Sequence, residues 1–155
     1  MNESVLLRTR EETQDWGRRL GSLLRAGDLL LLTGGLGAGK TTLTQGIADG
    51  LQVRGPITSP TFVIARVHPS LVGGPELVHV DAYRLDGALE LDDLDLDSDL
   101  ESAVTIVEWG AGLAEELTDD RLELLIDVDQ KTEERRITLM ANGARAHEIV
   151  REVTR

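Results

Sequence analysis

The sequence predicts an α/β fold: a single domain over residues 1–155, with a mixed parallel/antiparallel sheet flanked by helices. Three observations lead there. Leu29-Leu30-Leu31-Leu32 is an apolar run without alternation, as expected of a strand buried on both faces. It passes through a glycine-rich stretch into a helical pattern, the order of a strand–loop–helix unit. Near the C-terminus, Arg121–Asp127 and Arg136–Ala141 enclose the polar turn Asp129–Glu134 and read as an antiparallel hairpin.

The remaining elements follow in chain order. Ser4–Thr9 reads as a short strand, and Thr9 with Glu12 has the spacing of a capping box. Trp16, Leu20, Leu23 and Leu24 then recur at helical intervals, predicting a helix over residues 10–25 with one buried stripe. Gly27-Asp28 is a turn before the apolar run. Thr41–Leu51 carries Leu43, Ile47 and Leu51 at helical spacing. Thr61–His68 and Glu76–Tyr83 read as strands that pair as a hairpin across a long loop. Ala103–Trp109 is a further strand, followed by a short helix through Leu117, and Ala144–Val153 closes the chain as a helix.

Composition narrows the function classes. The chain has 155 residues, no cysteine and a net charge of −12. Without cysteine there is no disulfide framework, thiolate metal site or cysteine nucleophile. No apolar run approaches the roughly 20 residues needed to span a bilayer, and Met1-Asn2-Glu3-Ser4 lacks the pattern of a secretion signal, so a cytoplasmic location without membrane contact is expected. The acidic balance disfavours direct nucleic-acid binding, which rewards clustered basic side chains. Only two lysines are present, and Lys40 is one of them, set at the end of the glycine-rich stretch.

Gly34-Gly35-Leu36-Gly37-Ala38-Gly39-Lys40-Thr41 fits G-x-x-x-x-G-K-[ST] at every fixed position. The glycines let successive backbone N–H groups turn inward around a polyphosphate. Lys40 is placed to meet the β- and γ-phosphates, the Thr41 hydroxyl to join an Mg²⁺ shell, and the helix start adds its positive dipole end. The fold class is therefore that of a P-loop NTPase-like domain. No Asn/Thr-Lys-x-Asp base reader follows a later strand, which favours ATP over GTP. Such a loop needs carboxylates facing it. Asp81 closes Leu77-Val78-His79-Val80, and Glu108 closes Val104-Thr105-Ile106-Val107, each at the end of an apolar strand.

Four blocks in order, Gly34–Thr42, Thr58-Ser59-Pro60-Thr61-Phe62, Asp81-Ala82-Tyr83-Arg84-Leu85 and Glu108-Trp109, resemble the bacterial TsaE family. These are small P-loop ATPases required for threonylcarbamoyladenosine modification of transfer RNA, and the resemblance spans nearly the whole chain. It implies ATP and Mg²⁺ as ligands, held by Gly35, Leu36, Gly37, Ala38, Gly39, Lys40, Thr41 and Thr42. Thr61, within a switch-like segment over Thr58–Phe62, joins them beside the γ-phosphate. Lys40, Asp81 and Glu108 are implied as catalytic, and Thr41, Asp81 and Glu108 as metal-binding. The assignment of metal and attacking water between the two acids stays open. Tyr83, Arg84 and Trp109 are implied near the nucleotide mouth or a partner surface. The implied partners are the TsaB and TsaD proteins, with transfer RNA reached only through their complex. One departure from the family is Gly35, where members often carry Asp or Asn; every backbone donor remains.

Plainer assignments stand beside these. Phe62 and Trp109 suit core packing, Arg84 suits neutralisation of Asp81 or Asp86, and His79 suits a structural role. The eight acids of residues 86–101, interleaved with leucines, suit a solvated helix face more than a docking surface for a basic partner. The main functional alternative is a small-molecule kinase on the same loop, and a third is a nucleotide-gated module without hydrolysis.

Overall fold

The computed structural model describes residues 3–34, 39–55, 65–81, 101–108 and 119–154. Among the described residues, ten elements run in the order β1 (Glu3–Leu7), α1 (Arg10–Leu23), β2 (Leu29–Gly34), α2 (Lys40–Leu51), β3 (Ala65–His68), β4 (Glu76–Asp81), β5 (Ala103–Glu108), β6 (Arg121–Val128), β7 (Arg135–Asn142) and α3 (Ala144–Val153). The strands form one sheet in the order β1-β7-β6-β2-β5-β4-β3. β4, β5, β2 and β6 run parallel, while β3 at one end and β7 and β1 at the other run antiparallel. The expected mixed sheet is thus present, and so are both expected hairpins.

Side-chain pattern and strand position agree. β2 and β5 sit in the middle and are buried on both faces, which suits their unalternating leucines and valines. β6 alternates instead: Leu122, Leu124 and Ile126 are buried, while Glu123 and Leu125 between them are half-buried. One large apolar cluster joins these residues and Leu30, Leu32 and Ile106 to the inner faces of all three helices. Leu29, Leu31, Val80 and Val107 alternate to the other face of the sheet and are buried as well.

Local signals set the helix ends. Thr9 caps α1 by accepting the Glu12 amide at 3.0 Å, and Glu12 reaches back to the amide of Arg8. The helix stops at Leu23, two residues earlier than expected, because Leu24 is already extended. The Gly27-Asp28 turn is fastened from elsewhere. Asp28 is almost wholly buried and accepts two 2.9 Å hydrogen bonds from the Arg145 guanidinium of α3. Helix α3 begins at Gly143, which offers no side-chain cap, and Asp120 supplies one by accepting the Arg145 and Ala146 amides. The polar turn between β6 and β7 folds on Asp129, whose carboxylate accepts the Lys131 and Thr132 amides.

α1 and α2 touch backbone to backbone. A Cβ on Gly21 would lie 2.2 Å from the Ile47 carbonyl oxygen, and one on Gly46 would lie 2.3 Å from that of Gln14. Gly17 and Gly50 meet the opposite helix in the same way. The four form two Gly-x-x-x-Gly pairs, one turn apart on each helix. No helix among the described residues is long and apolar enough to cross a membrane.

Of the expected strands, Thr61–His68 is described from residue 65 and Glu76–Tyr83 to residue 81; the helix before Leu117 lies outside the described residues.

Two measurements test this packing. Gly46→Ala, which in an open helix gains about 1 kcal/mol, is expected here to lose about 1–3 kcal/mol to overpacking, seen as a lower urea midpoint with an unchanged slope. The second concerns His68, whose pKa is lowered from its ordinary 6.5, first by burial and then by His79 and Arg66, against the opposing hydrogen bond to the Arg54 carbonyl. The unfolded chain therefore takes up this proton more readily than the folded one. The stabilisation is complete above pH 6.5 and declines as pH falls below it. Urea titrations of His68→Asn should show a flatter loss of stability across that window than the parent chain.

Candidate active site

The parallel strands end at one edge of the sheet, where open α/β folds bind ligands. β2 ends there at Gly34, β5 at Glu108 and β4 at Asp81. The register is direct: Glu108 pairs with Leu32 on one side and with Asp81 on the other. The two acids picked out by sequence are therefore neighbours on adjacent strands. Asp81 is described by its backbone.

Glu108 pairs with Leu32 two positions beyond the Leu30–Ile106 pair, so its side chain projects from the face that packs on the helices. It is 3% exposed, and its Oε2 lies 3.1 Å from Nε2 of His79, which is fully buried. Within the described residues, His79 Nδ1 has no hydrogen-bond partner.

Lys40 opens α2 and is itself buried. Its ammonium donates to the Gly34 carbonyl at 2.6 Å, bridging the two ends of the glycine-rich stretch. Thr41 and Thr42 follow in the first turn, half-buried. Thr44 behind them is fully buried and returns its hydroxyl to the Lys40 carbonyl at 2.8 Å. Gly39 has φ +103°, a conformation that favours glycine, and the Arg135 side chain lies where a Cβ would stand, its Nε 2.8 Å from that point. Arg135 thus reaches the loop from the start of β7.

Of the residues expected at the site, Gly39, Lys40, Thr41, Thr42, Asp81 and Glu108 are at this edge. Gly35, Leu36, Gly37, Ala38 and Thr61 lie outside the described residues, as do Tyr83, Arg84 and Trp109. Sequence reasoning gave His79 only a structural role and left out Arg135 altogether. His79 had a signal, a polar ring inside the apolar run of β4 that needed a buried partner. Arg135 had none, since its nearness to Gly39 comes from β7 folding back beside β6.

Comparison with known proteins fits this arrangement. The sequence pattern of the family described as "Threonylcarbamoyl adenosine biosynthesis protein TsaE" matches residues 7–137. The chain belongs to this family. Among relatives carrying the name tRNA threonylcarbamoyladenosine biosynthesis protein TsaE, that of Streptomyces coelicolor is 62% identical, covering 85% of this chain and 92% of the relative. That of Bacillus subtilis is 37% identical over 94% of this chain and 89% of its own length. Among solved structures, that of Bacillus subtilis YdiB aligns with a TM-score of 0.80 at 30% identity, covering 99% of this chain and 95% of the other.

The buried pair makes a stability prediction. Glu108→Leu leaves the ring N–H of His79 without an acceptor and should lose about 1–3 kcal/mol in urea unfolding. Glu108→Gln keeps a carbonyl oxygen in reach and should lose clearly less.

Proposed function

We propose that the chain is a slow Mg²⁺-dependent ATPase in the cytoplasm, whose turnover serves a TsaB–TsaD assembly that makes threonylcarbamoyladenosine in transfer RNA. The observation that carries this reading is the strand register that sets Asp81 beside Glu108, one strand from the β2–α2 junction holding Lys40. Its biological setting rests on family membership and on the names its relatives carry.

The residues fit a metal–nucleotide ligand on chemical grounds. Glu108 is a buried carboxylate with one oxygen held by His79, and a hard oxygen donor of this kind suits Mg²⁺. Thr41 and Asp81 are the other candidate donors, one of the two acids serving the metal and the other the water. When bound, Mg²⁺ supplies charge neutralisation at the phosphates.

The chain's own groups do the rest by position and electrostatics. Lys40 exchanges the Gly34 carbonyl for phosphate oxygens, a move within the reach of a flexible four-carbon stem. The first amides of α2, with the loop before them, face the phosphates with the positive end of the helix. The carboxylate of the pair that is not on the metal orients the attacking water and accepts its hydrogen bond. Thr61 and Gly35–Ala38 belong to the same proposed nucleotide shell. The net charge of −12 suits a protein partner better than direct contact with RNA.

The test is ATP hydrolysis with Mg²⁺, with and without purified TsaB–TsaD and transfer RNA. Partners should raise turnover strongly. Lys40→Ala should lose nucleotide binding, and Glu108→Gln should keep binding while turnover falls about 10²-fold or more. Turnover indifferent to partners but raised by a small acceptor would identify a kinase instead. Binding without any turnover would identify a nucleotide-gated module.

A further inference from the structure

We infer that His79 is a positioning residue for Glu108: its ring fixes the carboxylate so that one oxygen is committed to the protein and the other is kept for the site. This inference rests on the ATPase reading.

The argument begins with the hydrogen-bond inventory. An ionised carboxylate offers only acceptors, so the 3.1 Å contact requires the imidazole to donate from Nε2. A neutral imidazole carries its one proton on that atom, which leaves Nδ1 as a bare lone pair. The surroundings agree, because Nδ1 is buried and has no partner among the described residues. A bare lone pair at that position costs less than a bare N–H, since unpaired buried donors are the rarer exception. The pair therefore requires the donor at Nε2.

Geometry then supplies the purpose. Glu108 has three side-chain torsions, and at the end of an edge-facing strand those torsions would let its carboxylate sweep. His79 pairs in register with Ile106 and so stands a diagonal step from Glu108 on the neighbouring strand. Its ring is fully buried between packed elements and cannot follow such a sweep. The bond to Oε2 thus removes most of the orientational freedom of the carboxylate while leaving Oε1 uncommitted to His79. Partners of this kind orient ligating carboxylates and imidazoles at metal sites generally.

The test uses the full chain with its proposed partners and compares His79→Gln, His79→Leu and His79→Asn. Gln places an amide donor near the position of Nε2, Leu places none, and Asn falls short of Glu108. The expected result is a fall in kcat of about 10- to 100-fold for Leu and Asn, unchanged KM for ATP, and substantial recovery in Gln. A second readout needs no turnover. Nitrogen-15 shifts of the His79 ring in the metal-free protein should show a proton on Nε2. If Leu fails to fold, the Gln and Asn pair decides alone. Full kcat in both Leu and Asn, or a ring with no proton on Nε2, would overturn the positioning role while leaving the ATPase reading intact. An inert wild-type chain, matched by an inert Glu108→Gln, would instead remove the ATPase reading and this role with it.

Discussion

The backbone contact between α1 and α2 is the constraint on which the rest of the structure depends. With no side chain between them at Gly17, Gly21, Gly46 and Gly50, the two helices have a single depth and a single register available. That contact fixes where α2 begins over the sheet. Lys40, Thr41 and Thr42 ride on its first turn, so their distance from the strand edge is set by glycines further along the same helix. The capping of α1 by Thr9 and Glu12 serves the same end, because a displaced α1 would carry α2 with it.

The sheet divides its labour by strand direction. Its four parallel strands run the same way, and three of them bring Gly34, Glu108 and Asp81 to one edge. The antiparallel strands finish the sheet at both sides. They also contribute at the site: β7 starts at that same edge and sends Arg135 across Gly39. Electrostatics differ between these parts. Glu108 at the strand edge is buried and paired with His79, whereas most ion pairs of the helices lie on exposed surface and contribute little.

Much of this was legible in the sequence, and for physical reasons. Strands buried on both faces lose their alternation, so Leu29–Leu32 and Ala103–Val107 announced themselves. The hairpin β6–β7 was equally plain because its turn residues are those whose side chains fold back on their own amides. Lys40, Asp81 and Glu108 could be placed because a motif and two strand ends are local features. What escaped was non-local. The helix glycines read as weak points in a helix until their opposite numbers are known. Asp28 looked like an ordinary turn residue, although the guanidinium that holds it comes from the last helix. His79 needed knowledge of which strand lies beside β4.

The start of α3 depends on residues outside the helix. Gly143 cannot cap the helix, and the two amides it leaves open are taken by Asp120, at the approach to β6. A helix of ten residues is marginal in water by itself. Its first turn is therefore conditional on a chain segment that must already be in position, and its Arg145 is satisfied only when the Gly27-Asp28 turn has formed as well. α3 is therefore held by partners from both ends of the chain rather than by its own cap, and it ties the approach to β6 to the Gly27-Asp28 turn.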